Sequence, residues 1–143
     1  MKIHQISVFL ENRPGRLAGL CQILSEAGVN LSTLTLAETG GFGLLRLITS
    51  DPDKTKEVVE RAGYAATATE VVALQVADRP GGLASVLRVL EPHGISVEYM
   101  YAFAMRKGGD AVMVFRFDNM DRAIAVLQAA GINVFKPVEL FGA

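Results

Sequence analysis

Apolar residues recur at every second position near the start of the chain. Ile6, Val8 and Leu10 keep this period, which predicts a strand with one face in a core. Pro14 follows, and proline suits the first position of a helix. Leu17, Leu20, Cys21 and Leu24 then fall on one helical stripe. Gly28 supplies the residue that ends a helix in the left-handed conformation. Val29 to Glu38 and Gly43 to Thr49 read as two strands joined by a hairpin at Thr39-Gly40-Gly41. Asp51-Pro52 starts a second helix, lined by Val58, Val59 and Ala62 and closed by Gly63. A last strand runs from Tyr64 toward Glu70.

The same order then returns. Asn12-Arg13-Pro14-Gly15-Arg16-Leu17-Ala18 recurs 66 positions on as Asp78-Arg79-Pro80-Gly81-Gly82-Leu83-Ala84. Leu17, Leu20, Cys21 and Leu24 fall on Leu83, Val86, Leu87 and Leu90, and Ala27-Gly28-Val29-Asn30 falls on His93-Gly94-Ile95-Ser96. The offset widens to 68 by Ala62-Gly63 and Ala130-Gly131, which places two extra residues in the hairpin near Lys107-Gly108-Gly109. The second half therefore predicts strand 71-77, helix 80-93, strands 95-105 and 111-118, helix 119-130 and strand 132-140. The order βαββαβ, twice, is α+β and ferredoxin-like, an antiparallel sheet with helices on one face. The repeats occupy 1-70 and 71-143. Halves of about 70 residues are small to stand alone, so a shared interface is expected.

The other face of the sheet is only partly polar. Leu45, Leu47, Met113 and Phe115 point one way, and Leu44, Ile48, Val112 and Val114 the other. Ile95, Val97, Tyr99, Tyr101 and Phe103 share one parity, alternating with Met100, Ala102 and Ala104. A water-facing sheet surface should be polar, so a covering layer is expected. The simplest is a second copy of the chain, a homodimer through the open sheet face.

The repeated strand-to-helix loop suits a small anionic group. A helix start carries unpaired N–H groups and partial positive charge. Gly15 and Gly81 allow close approach of the backbone. A free amino acid fits, its carboxylate on the N–H groups near Arg16-Leu17 or Gly82-Leu83 and its ammonium on the Asn12 carbonyl or the Asp78 carboxylate. The same residues also describe a helix start that binds nothing. Arg16 either adds a cation beside a carboxylate or points into solvent.

The strings Asn12 to Ala18 and Asp78 to Ala84, each followed by Gly-(Val/Ile)-(Asn/Ser), resemble the ACT domain family. The likeness covers essentially the whole chain, as a stand-alone tandem of two ACT-like repeats. It implies regulatory modules that bind amino acids or close analogues, with a metabolic enzyme as a further candidate partner. It also implies repeats side by side in an eight-stranded antiparallel sheet with four helices on one face. Ligands would lie between repeats: Asn12, Arg13, Gly15, Arg16 and Leu17 facing Ile95 and Ser96, and Asp78, Arg79, Gly81, Gly82 and Leu83 facing Val29 and Asn30.

Composition narrows the alternatives. Lys plus Arg is 14 and Asp plus Glu 15, a net charge of -1, without the basic surplus of a nucleic-acid binder. Apolar runs are too short to span a bilayer, and Met1 to Glu11 lacks a signal-peptide pattern, so no membrane partner and a cytoplasmic setting are expected. The two histidines, His4 and His93, and the single Cys21 form no metal motif, so no cofactor and no metal are expected. Cys21 reads as a buried thiol on its helix stripe. The parity of Tyr99, Tyr101 and Phe103 directs them to the core rather than to a nucleic-acid stacking platform. No catalytic constellation emerges, and the chain is read as a sensor rather than an enzyme. Two rivals stand beside that reading. One is an assembly module with a vestigial ligand site. The other is a small enzyme using Glu98, Arg106 and Arg116 on the outer sheet face.

Overall fold

The computed structural model describes residues 1–141. Six strands and five α-helices form among them. In chain order they are β1 (Ile3–Glu11), α1 (Arg16–Glu26), β2 (Thr33–Thr39), β3 (Phe42–Ile48), α2 (Pro52–Arg61) and β4 (Ala65–Val76). Then come α3 (Gly82–Leu90), a 3-10 turn (Glu91–His93), β5 (Val97–Lys107), β6 (Asp110–Phe117), α4 (Met120–Ala129) and α5 (Pro137–Phe141). The chain divides into two compact units. The first is His4–Thr69, and the second is Met1–Ile3 with the residues from Glu70 onward.

In the first unit β3 pairs antiparallel with both β1 and β2. The register sets Ile6 opposite Leu47 and Val8 opposite Leu45. These side chains form a core with Leu20 and Leu24 of α1 and Val59 of α2. The other face carries Phe9 opposite Leu44 and Phe42 opposite Glu11, with Phe9 49% and Phe42 57% exposed. In the second unit β6 pairs antiparallel with β4 and β5. Val72, Leu74, Phe115 and Phe117 meet Val86 and Leu90 of α3 and Ala123 and Leu127 of α4.

The expected eight strands and four helices are not formed. The strands expected at 64–70 and 71–77 are one strand, β4, because no turn residue interrupts Ala65–Val76. The strand expected over 132–140 shrinks to a bridge between Leu74 and Val134, flanked by bonds from the Gln75 N–H to the Asn133 carbonyl and from the Phe135 N–H to the Ala73 carbonyl. Pro137 then begins α5. Proline removes a ladder donor, and the Glu139 carboxylate accepts from the Lys136 N–H at 2.8 Å, which fastens the helix start instead. The strands after Gly28 and Gly94 begin later than expected, at Thr33 and Val97. Helix 80–93 is split between α3 and the 3-10 turn, where Pro92 interrupts the α-helical bonding. Pro14 and Pro80 sit in turns, and the helices open one residue beyond Gly15 and Gly81.

The parity assigned to the aromatics of β5 is also corrected. Val97 lies opposite the core residue Phe117, but a register shift follows, and Tyr99 lies opposite Arg116 and Tyr101 opposite Val114. The irregularity turns the later side chains to the face away from α3 and α4, as one extra residue always does in a period of two. That face of the second unit is partly covered by its own chain, since the Phe103 and Phe141 rings lie 6.5 Å apart. Phe103 and Leu140 are accordingly buried.

Gly82 fixes how closely α3 approaches the end of β4. A Cβ there would collide with the backbone carbonyl of Ala77. Arg16 holds the equivalent position in the first unit, so the tight approach belongs to the second alone. Gly82→Ala is expected to destabilise the chain by about 1–3 kcal/mol, read as a lower urea midpoint. An unchanged midpoint would mean that α3 moves away without cost.

Candidate functional site

Two strand-to-helix loops carry most of the residues singled out from the sequence. In the first, the Asn12 N–H donates to the Gly41 carbonyl at 3.1 Å and the Arg16 N–H to the Arg13 carbonyl at 3.2 Å. Gly15 then takes a left-handed conformation, φ 88°, and opens α1 with no side-chain cap. In the second, the Gly82 N–H donates to the Arg79 carbonyl at 3.0 Å. Gly81 takes φ 86° and opens α3, again with no side-chain cap. The two helices that follow hairpins, α2 and α4, differ. Asp51 caps α2 by accepting from the Lys54 N–H, and Asn119 caps α4 by accepting from the Arg122 N–H, both at 3.1 Å. At α1 and α3 the N–H groups of Leu17, Ala18, Leu83 and Ala84 have no acceptor among the described residues. Four donors at two helix starts thus point outward, where an anion is favoured.

The charged side chains around these loops are largely committed. Arg13 pairs with Glu11 at 2.7 Å. Arg16 resolves the choice left open by the sequence: its guanidinium lies over the Tyr64 ring at 5.3 Å, and its buried Nε has no partner. Asp78 forms an ion pair with Arg106 of β5. Leu17 and Leu83 pack against their own cores, while Asn12, Arg79 and Gly81 are exposed.

The strand-start residues lie in two matching clefts. Val29 and Asn30 line one of about 390 Å³ in the first unit, with Cys21, Leu24 and Leu31. Ile95 and Ser96 line one of about 530 Å³ in the second, with Leu87, Leu90 and Val97. Cys21 is thus half-buried beside a cleft rather than fully enclosed. Both backbone groups of Ser96 are held by Asp118: its N–H donates to the carboxylate and its carbonyl accepts the Asp118 N–H, each at 3.1 Å. The structure brings the strand starts together with the helices α1 and α3. It leaves the loop residues outside the lining of both clefts.

The duplicated sequence now has a duplicated loop geometry. The ACT domain pair family matches residues 1–140. This chain belongs to the ACT domain pair family. It is similar over 100% of its length, and 98% of the other chain, to protein BT0572 from Bacteroides thetaiotaomicron, at 38% identity and a TM-score of 0.92. The regulatory subunits of aspartate kinase from Thermus thermophilus, in its ligand-free form, and from Thermus flavus share the fold. The first is 17% identical with a TM-score of 0.63, covering 90% of each chain. The second is 18% identical with a TM-score of 0.63, covering 92% of each. A comparison with the curated proteins returns no match. Among the described residues of the ACT domain pair, no helix is long and apolar enough to cross a membrane. No group of three His, Cys, Asp or Glu side chains there is placed to hold a metal.

Sequence reasoning missed Tyr64 as the seat of Arg16 and Arg106 as the partner of Asp78. Neither pairing follows from a local pattern, since each joins residues far apart in the chain.

The contrast between capped and open helices has a measurable consequence. Asp51→Ala and Asn119→Ala are each expected to cost about 1 kcal/mol. Asn12→Ala, which removes no cap, should stay within about 0.5 kcal/mol in the absence of ligand. Urea unfolding of the three variants tests this, and a cost at Asn12 equal to that at Asp51 would contradict an open helix start.

Proposed function

We propose that this ACT domain pair is a regulatory sensor of a free amino acid or close analogue, without catalysis of its own. The observation that carries the reading is the pair of uncapped helix starts, each preceded by a left-handed glycine. A carboxylate seated there accepts from the free N–H groups of Leu17 and Ala18, or of Leu83 and Ala84. The Asn12 carbonyl and the Asp78 carboxylate are the acceptors for the ammonium group. At the second loop that group competes with Arg106 for Asp78, so the first loop is the less encumbered seat.

In this reading repeats 1–70 and 71–143 share the ligand. Residues Asn12 to Leu17 work with Ile95 and Ser96, and Asp78 to Leu83 with Val29 and Asn30. The mechanism is linkage: a ligand touching both repeats favours one arrangement by its differential affinity. A metabolic enzyme or a second copy in the cytoplasm reads that arrangement. The likeness to the regulatory subunits of aspartate kinase supports a partner of the first kind. The exposed Phe9 and Phe42 support a homodimer through the open face of the first unit. The same two rings favour the assembly module as second reading, with the loops vestigial.

A thermal-shift screen of the full chain against the twenty amino acids separates these readings. Ligand at about 100 times its dissociation constant adds about 2.7 kcal/mol of stability. A rise of several degrees for one amino acid or a related few, reduced by Asn12→Ala or Asp78→Ala, is expected. A flat panel would reject the sensor and favour the assembly module.

A further inference from the structure

The helix layers of the two units differ at matching positions. In the second unit an apolar groove of about 410 Å³ runs between α3 and α4, lined by Val89, His93, Ala125, Val126, Ala129 and Ala130. Val89 and Val126 also pack against the core beneath, which fixes the floor. At the repeat spacing of 68, Ala125 and Ala129 correspond to Glu57 and Arg61 of α2. Those two side chains are joined at 2.6 Å, so α2 sets an ion pair on the turn that α4 leaves bare. Charge around the groove is one-sided. Arg122 lies three residues before Ala125, on the same stripe of α4. It is exposed and joins no ion pair among the described residues. His93 adds a ring N–H donor. The carboxylates of α3, the 3-10 turn and α4 are Glu91 and Asp121. Glu91 lines the cleft between α3 and β5, and Asp121 is held by Lys2 at 2.7 Å. The groove thus offers apolar surface and donors without a carboxylate of its own.

We propose that this groove is the surface by which the chain engages its protein partner, and that its occupant is an amphipathic helix with apolar side chains at i and i+4 flanked by carboxylates. The apolar side chains rest on Val89 and Val126, and a carboxylate meets the Arg122 guanidinium through two parallel bonds. Alanine at 125 and 129 lets the occupying backbone come close, as the ridges of one helix settle into the groove beside another. A second copy of the chain fits less well, because its matching face repeats the same cations. The proposal rests on the reading of the chain as a regulator and names the surface that a metabolic enzyme would hold. It lies apart from the loops, since none of Asp78 to Leu83 lines it.

Fluorescence anisotropy of the full chain with two labelled, helix-forming peptides tests this. Each peptide carries leucine at i and i+4, flanked by glutamate in one and by lysine in the other. The groove variants are Ala125→Glu combined with Ala129→Arg, and Arg122→Glu. Lys54→Glu, at the position equivalent to Arg122 in the first unit, is the control. The double substitution copies the Glu57–Arg61 pair, which supports a helix, so circular dichroism should show the fold retained. The proposal expects the glutamate peptide to bind, and to lose at least about tenfold in affinity in both groove variants, the loss of one charge-assisted contact or more. Lys54→Glu should leave that affinity unchanged, and the lysine peptide should bind the native chain at least about tenfold more weakly. Absence of binding by the glutamate peptide at about 1 mM overturns the proposal. Equal binding of the two peptides, binding that survives either groove variant, or an equal loss in Lys54→Glu overturns it too. The titration contains no amino acid, so a flat amino-acid panel would reject the sensor without touching this surface.

Discussion

A left-handed glycine at the end of a strand is the constraint on which each half of this chain depends. Gly15 and Gly81, at φ 88° and 86°, turn the backbone from a strand into the first helix without using a side chain as cap. A residue with a Cβ costs about 1–2 kcal/mol in that conformation, so the turn demands glycine. A cap residue such as Asp51 sits instead in a conformation with negative φ and spends its side-chain oxygen on the helix. The glycine turn leaves the helix donors open. The same choice that allows strand and helix to join tightly therefore creates an unsatisfied, electropositive end.

Packing holds these ends in place. Leu17 and Leu83, immediately after the open turns, pack against the cores of their units. In the second unit Phe115 and Phe117 stack at 5.4 Å beneath α3 and α4. Where the repeats differ, the difference is local and physical. Gly82 admits the Ala77 carbonyl where Arg16 instead reaches across to Tyr64. Asp78 has a partner in Arg106, whereas Asn12 carries no charge to attract one. Duplication thus kept the loop conformation and altered its electrostatics.

Much of this was legible in the sequence. The βαββ order, the glycine-closed helices and the two cores follow from periodicity and from the repeat, because burial on one face imposes a period. The fusion into β4 was hidden, since a run such as Thr67-Ala68-Thr69-Glu70-Val71 continues a strand as readily as it ends one. The parity of Tyr99 and Tyr101 was misread, because an irregularity after Val97 leaves no mark in alternation. The final strand expected over 132–140 overlooked Pro137, which has no N–H for a ladder and instead begins α5. The loops were found from two similar strings, but their open helix starts depend on φ values that only coordinates provide. The pairings Arg16–Tyr64 and Asp78–Arg106 join distant positions and could not be derived from either neighbourhood.

The central claim is that uncapped N–H groups at the paired helix starts receive a carboxylate. The most direct test is amide proton NMR of the full chain as each amino acid is added. The account predicts that the amide signals of Leu17 and Ala18, or of Leu83 and Ala84, move saturably while those of the capped Lys54 and Arg122 stay still. Saturable binding that leaves all four of those amides unmoved would contradict it.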